Sequence, residues 1–158
     1  MYVRYMSIYK RFEDLPVWQQ AERLYGAVLD LLEGCTRGLS IGFRNQLDRA
    51  ALSVSNNIAE GFERMSTAEL LSFLETARGS AGEVRSMVTV IRRRPRLQPH
   101  STELGEIRNL AESCSKQIGA WMMAIERSPV KGKRHQTSDS SRQRSRKNKH
   151  STKTDAEP

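Results

Sequence analysis

Between residues 14 and 126 the apolar residues recur every three or four positions, in four separate blocks, and nowhere alternate one by one. That period lines them up on one face of an α-helix and excludes a half-buried strand. The first block is Val17, Ala21, Leu24, Val28 and Leu31/Leu32. The second is Leu47, Ala50/Ala51, Val54, Ile58 and Phe62. The third is Leu70, Leu71, Phe73, Leu74, Ala77, Ala81, Val84, Met87/Val88 and Ile91. The fourth is Leu104, Ile107, Leu110/Ala111, Cys114, Ile118, Trp121/Met122 and Ile125. A helix with one apolar face must bury it against other elements. Four of them joined by short loops predict an all-α, antiparallel up-down-up-down four-helix bundle over residues 12–127.

Start and stop residues sharpen the boundaries. Asp14 is a good N-cap for the first helix, with Pro16 tolerated in its first turn, and Gly34 is a natural stop. The second helix is expected from Ser40–Arg44 to about Arg64. Ser66 and Glu69 have capping-box spacing at the start of the third, and Pro95 ends it. The fourth begins near Ser101 or Thr102 and ends before Pro129. Gly79 and Gly82 fall inside the third helix, where each costs about 1 kcal/mol relative to alanine. The expected compensation is close approach of a neighbouring helix.

Charge divides the chain unevenly. Of the net +8, residues 127–158 hold ten Lys/Arg against three Asp/Glu, while residues 1–126 hold sixteen against fifteen. The body is nearly neutral. The last segment has almost no apolar residues beyond Val130 and Ala156, too few to offset its ordering entropy, so 128–158 reads as a disordered basic tail. Residues 1–11 read as an N-terminal arm, whose Tyr2, Tyr5, Ile8 and Tyr9 suit packing on a neighbouring subunit or a loose segment. The start of the chain lacks the apolar core of a signal peptide, and no stretch approaches the roughly 20 apolar residues of a membrane span. The expectation is a soluble, cytoplasmic protein without membrane contact. Cys35 and Cys114 have no metal-ligand spacing and read as free thiols.

Enzyme chemistry finds little support. His100, His135 and His150 lie in a turn and the tail, away from the core helices. No Glu-x-x-His pair of a di-iron bundle, no glycine-rich phosphate loop and no nucleophilic triad can be assembled. Glu60 with Glu83 is the one conceivable acid–base pair. The expectation is a non-enzymatic protein that needs no cofactor and no metal.

Three polar features remain. The second helix carries a polar stripe of Gln46, Arg49, Ser53, Asn57 and Glu60, spaced by three or four. It reads either as a ligand or nucleic-acid surface or as a hydrogen-bonded network with the third helix, in which Arg78 and Glu83 meet Glu60 and Arg49. Asn57 and Gly61 beside the small-residue patch around Gly79 and Ser80 suit close packing. The turn after the third helix holds Arg92, Arg93, Arg94 and Arg96, more cations than a helix C-terminus needs. The tail adds Lys131, Lys133, Arg134, Arg142, Arg144, Arg146, Lys147 and Lys149, a pattern that contacts phosphate backbones without sequence preference. Both clusters are candidate nucleic-acid contacts, against solvated charge as the plain alternative. Trp18 and Trp121 lie on apolar stripes and read as core or interface residues.

Three motifs together resemble a known family. Phe12, Glu13, Asp14, Leu15, Val17, Trp18 and Ala21 open the pattern. Gln46, Arg49, Ala50, Ser53, Asn57, Ile58, Ala59, Glu60, Gly61 and Arg64 form its centre, and Phe73, Leu74, Ala77, Gly79, Ser80 and Glu83 complete it. In this order and spacing they resemble the four-helix-bundle proteins encoded in intervening sequences of 23S ribosomal RNA genes. The resemblance implies a small non-enzymatic bundle that forms ring-like homopentamers. It also implies a fold similar to the accessory variability determinant of diversity-generating retroelements, a basic pentamer that binds nucleic acid and docks a reverse transcriptase. RNA or DNA, a reverse transcriptase and further copies of the chain are the implied partners. The arginine turn and the tail depart from the family pattern, and both favour an anionic partner.

Overall fold

A computed structural model describes residues 9–35, 38–64 and 66–128. Among them are four α-helices and no strand: α1 (Pro16–Gly34), α2 (Ile41–Glu63), α3 (Thr67–Ile91) and α4 (Ser101–Glu126). Each apolar block of the sequence is the buried face of one helix. Leu24, Val28, Leu47, Ile58, Leu70, Leu74, Val84, Leu104, Ile107 and Ile118 are essentially inaccessible, within one continuous core. Each such large aliphatic side chain contributes about 1.5–3 kcal/mol by leaving water. Helices pack α1 on α2, α2 on α3, α3 on α4 and α4 on α1. They therefore surround the core in chain order.

Caps explain most boundaries. Ser40 accepts a hydrogen bond from Phe43 N–H at 3.2 Å and starts α2. Ser66 accepts from Glu69 N–H at 3.2 Å and donates to the Glu69 carboxylate at 2.5 Å, so the Ser–Glu pair does cap α3. At α1 the expectation fails. Asp14 is not its N-cap: it ends a short 3-10 turn, Phe12–Asp14, and Leu15 holds the cap position with no side-chain bond. The reason is burial. The turn drives Leu15 to 3% exposure and sets the Phe12 ring edge-on to Trp18, 5.3 Å between centroids. The Leu15 carbonyl accepts from Trp18 and Gln19 N–H, both at 3.0 Å, so the helix still starts with its backbone engaged. Pro16 then takes the first helical position, where it sacrifices no bond.

The C-terminus of α1 is closed by a side chain from the next helix. Arg44 donates to the carbonyls of Cys35 and Leu32. Trp121 is buried, whereas Trp18 is half-buried against the core, as the apolar stripes require. No helix among the described residues is long and apolar enough to cross a membrane. The arm residues 1–8 and the tail residues 129–158, with the candidate contacts Lys131, Lys133, Arg134, Arg142, Arg144, Arg146, Lys147 and Lys149, lie outside the described residues.

Candidate functional site

The polar stripe of α2 forms a seam with α3. Gln46 donates to the Glu83 carboxylate at 2.5 Å, and the hydroxyls of Ser53 and Ser80 share a hydrogen bond at 2.9 Å. Asn57 donates to the carbonyl and the hydroxyl of Ser53, at 2.7 and 2.9 Å. Gly61 abuts Leu70 and Phe73. Positions rising along α2 thus meet positions falling along α3.

Several expected pairings are corrected. Glu60 pairs with Arg64 one turn along its own helix, and the Arg64 guanidinium lies over the Phe73 ring, 4.8 Å from its centroid. Glu83 meets Gln46, not Arg49, which is exposed and takes no part in the seam's hydrogen bonds. Arg78 turns to the opposite side of α3, where its guanidinium stands 3.6 Å from a Cβ placed on Gly119 of α4. The stripe is also more open than a buried network: Gln46, Glu60 and Glu83 are exposed, and only Ser53, Asn57 and Ser80 are half-buried. The cause is the rotation of the helices, which puts their smallest polar side chains at closest approach and leaves the long ones at the rim.

The glycines separate into two kinds. A Cβ on Gly61 would sit 2.9 Å from the Phe73 Cβ and 3.1 Å from Leu70 Cδ1, so this glycine is where α2 and α3 touch. Gly79 and Gly82 have nothing within 4 Å of a Cβ. The expected approach of a neighbouring helix at Gly79 and Gly82 is therefore not met among the described residues; the helix contact falls at Gly61, against Leu70 and Phe73.

The arginine turn is a built structure. α3 ends at Ile91, the chain turns through Arg92–Arg94, and Pro95–His100 forms a 3-10 turn that runs into α4. Arg94 takes the extended conformation that a following proline demands. Leu97 is buried at 2% exposure and anchors the turn to the core. Gly38, at φ +109°, brings the α1–α2 connection against Leu97 and Arg96. Only glycine takes that backbone conformation without strain. Around the Leu97 anchor, Arg92, Arg93, Arg94 and Arg96 are all exposed, and none pairs with a carboxylate among the described residues. The C-terminal dipole of α3 favours a cation or two here, but the N-terminus of α4, a few residues on, disfavours them. Four unpaired cations in five residues thus exceed what the helix ends account for.

Sequence reasoning missed a second basic surface, between α3 and α4. Lys116 lies 2.8 Å from Glu112 and holds its carboxyl below the usual range, with Arg108 and Arg85 adding to the effect. The seven-residue recurrence of Arg78, Arg85 and Arg92 was the available signal. The two thiols are packing groups: both are buried, and burial pushes Cys114 up to about 12, far from a thiolate at neutral pH.

The sequence profile of the 23S rRNA-intervening sequence protein family matches residues 13–120. The chain belongs to that family. The match starts in the turn that buries Leu15 and stops in the last turns of α4, so it takes in the seam, the arginine turn and the α3/α4 face. A comparison with curated proteins finds no match. For this member of the family, the shared region is the bundle, and the basic tail lies beyond it.

Proposed function

We propose that this family member is a non-enzymatic scaffold that assembles into a ring of identical subunits, five by the family resemblance, and contacts nucleic acid through basic surfaces. The observation that carries the reading is the turn of Arg92, Arg93, Arg94 and Arg96, exposed and without carboxylate partners among the described residues. Clustered cations of this kind repel one another in the free protein, and a phosphate backbone relieves that repulsion while releasing counterions. Repetition around a ring sums the field.

The reading takes the helices as up-down-up-down. The connections 35–40 and 64–66 are too short to span the length of a helix, about 35 Å for α2 at 1.5 Å per residue. That topology puts the arginine turn at one end of the bundle and the exit of the chain at Arg127 at the other. Self-assembly draws support from Ile41 and Val90, exposed at 78% and 67%. The register of the α2/α3 seam puts them near one another, beside a bare Gly42. Together they offer an apolar spot that a further subunit would cover.

The test compares the full chain with a truncation after Arg127. Solution mass is measured by light scattering, and RNA and DNA binding is followed across salt. Both proteins should be oligomers of the 18.0 kDa chain or its shortened form, and both should bind, with an affinity that falls steeply as salt rises. A monomer, or binding that ignores salt, overturns the proposal. Loss of all binding on truncation moves the contact from the turn to the tail.

A further inference from the structure

The α3/α4 face carries a charge pattern that the proposed function does not yet use. Arg78, Arg85 and Arg92 recur every seven residues, which places them in one row along α3. Arg92 keeps helical backbone angles, φ −58° and ψ −20°, so the row spans about 21 Å at 1.5 Å per residue. α4 answers from the other side with Gly105, Arg108, Glu112, Lys116 and Gly119. Arg78 lies against Gly119, and Glu112 feels both Arg85 and Arg108, so the two rows border one surface. Arg78, Arg85, Arg92 and Lys116 are exposed, and Arg108 is half-buried. A Cβ added at Gly82 or Gly105 would meet nothing within 4 Å among the described residues, and the nearest atoms to one at Gly119 belong to the Arg78 guanidinium. The strip thus has a floor kept low by glycines and borders lined with cations. Glu112, its central carboxylate, is already engaged by Lys116 at 2.8 Å. Glu75, one turn before Arg78, closes the strip at the end away from the arginine turn.

We infer that this strip, continuous through Arg92 with the arginine turn, is a track for the phosphodiester backbone of double-helical nucleic acid. The inference rests on the nucleic-acid reading above and assigns it a surface on the side of the bundle. Charge and shape select the partner. A row of about 21 Å matches roughly six base-pair steps at 3.4 Å. Two helices side by side are about 20 Å wide, too wide to enter a major groove of about 12 Å, so the contacts fall on backbone and not on base edges. Tyr9, Phe12, Trp18, Tyr25, Phe43, Phe62 and Trp121 lie in or against the core, and Phe73 lies on the α2 side of α3, against Gly61 and beneath the Arg64 guanidinium. The strip therefore offers no platform on which single-strand bases stack, and a duplex, with its denser charge, is the better ligand.

The full chain is titrated with a fluorescent DNA duplex of about 20 base pairs, and separately with its labelled single strand, from about 50 to 300 mM salt. Three variants accompany it: the strip triple Arg78→Gln, Arg85→Gln, Arg108→Gln; the turn triple Arg93→Gln, Arg94→Gln, Arg96→Gln; and Arg23→Gln, an exposed cation of α1, as control. The strip triple should bind the duplex at least tenfold more weakly. Its slope of log affinity against log salt should be shallower by about two to three, near one per lost phosphate contact. Helicity and solution mass should stay unchanged, and the wild type should prefer duplex to single strand. A strip triple that binds like wild type while the turn triple is weakened overturns the inference and leaves the proposed function standing. A wild type that binds neither probe overturns both. A strip triple whose solution mass falls shows the strip to be a subunit contact, which also overturns the inference. If the triple loses helicity, Arg85→Gln alone repeats the test: an unchanged salt slope then refutes the track.

Discussion

The same substitution at two glycines of the α2/α3 region should have opposite signs. At Gly61 a new Cβ would lie 2.9 Å from the Phe73 Cβ, 3.1 Å from Leu70 Cδ1 and 3.5 Å from the Leu70 carbonyl. The Phe73 Cβ is fixed to the α3 backbone and cannot rotate away. α2 and α3 must separate by several tenths of an ångström before the pair reaches ordinary contact. Such overpacking costs about 1–3 kcal/mol, and the better helix propensity of alanine returns at most about 1. At Gly79 nothing lies within 4 Å, so propensity acts alone and Gly79→Ala gains about 1 kcal/mol. The two variants should therefore differ by about 1–3 kcal/mol, or roughly 4–12 °C in melting temperature for a domain of this size. Far-UV circular dichroism during heating measures the difference. If Gly61→Ala melts at or above Gly79→Ala, the close approach of α2 and α3 at Gly61 is wrong. Solution mass on the same samples adds a second reading: dissociation by Gly79→Ala despite a higher helix stability would place that bare glycine in a subunit contact.

Arg44→Ala removes the side chain that holds the Cys35 and Leu32 carbonyls at the end of α1, and should lower stability by about 1–2 kcal/mol in urea unfolding. Ser66→Ala removes the α3 cap and should cost about 1 kcal/mol, whereas Ser66→Asp should retain most of it. Burial, and then its hydrogen bond to Asp48 at 3.1 Å, raise the Tyr25 phenol above its ordinary value of 10.0. The folded state therefore resists its ionisation: that contribution is whole below pH 10 and is lost as pH rises through the folded value. Wild type should lose stability across this alkaline range, and Tyr25→Phe should show a smaller loss. Cys35 and Cys114 should resist a thiol reagent at pH 8 in the native protein and react on unfolding; rapid native labelling of Cys114 would contradict its burial.

How far the site was legible follows the range of the forces involved. The Ser66–Glu69 cap was readable because it is made within one turn of chain. The arginine turn was readable for the same reason, and Leu97, the residue that pins it, is an apolar side chain in an otherwise polar loop. The Asp14 cap was misread because a local preference competed with burial of Leu15 and Phe12, and burial won. The seam partners were misassigned because Arg78 has equal reach to either side of α3. Spacing along one helix does not say how that helix is rotated against its neighbours.

The sequence by itself determined four helices, their lengths to within a few residues, most of the residues that make the core, and a nearly neutral body followed by a basic segment. These depend on periodicity, caps and composition, which a chain carries wherever it goes. The tertiary structure alone decided that Gly61 and not Gly79 is the point of helix contact, and that Glu83 meets Gln46. It also decided that Arg78, Arg85 and Arg108 share a face. Each of these depends on the offset and rotation between two helices, and a slide of a few ångströms, less than one turn, would exchange every long side chain's neighbour while leaving the apolar pattern intact.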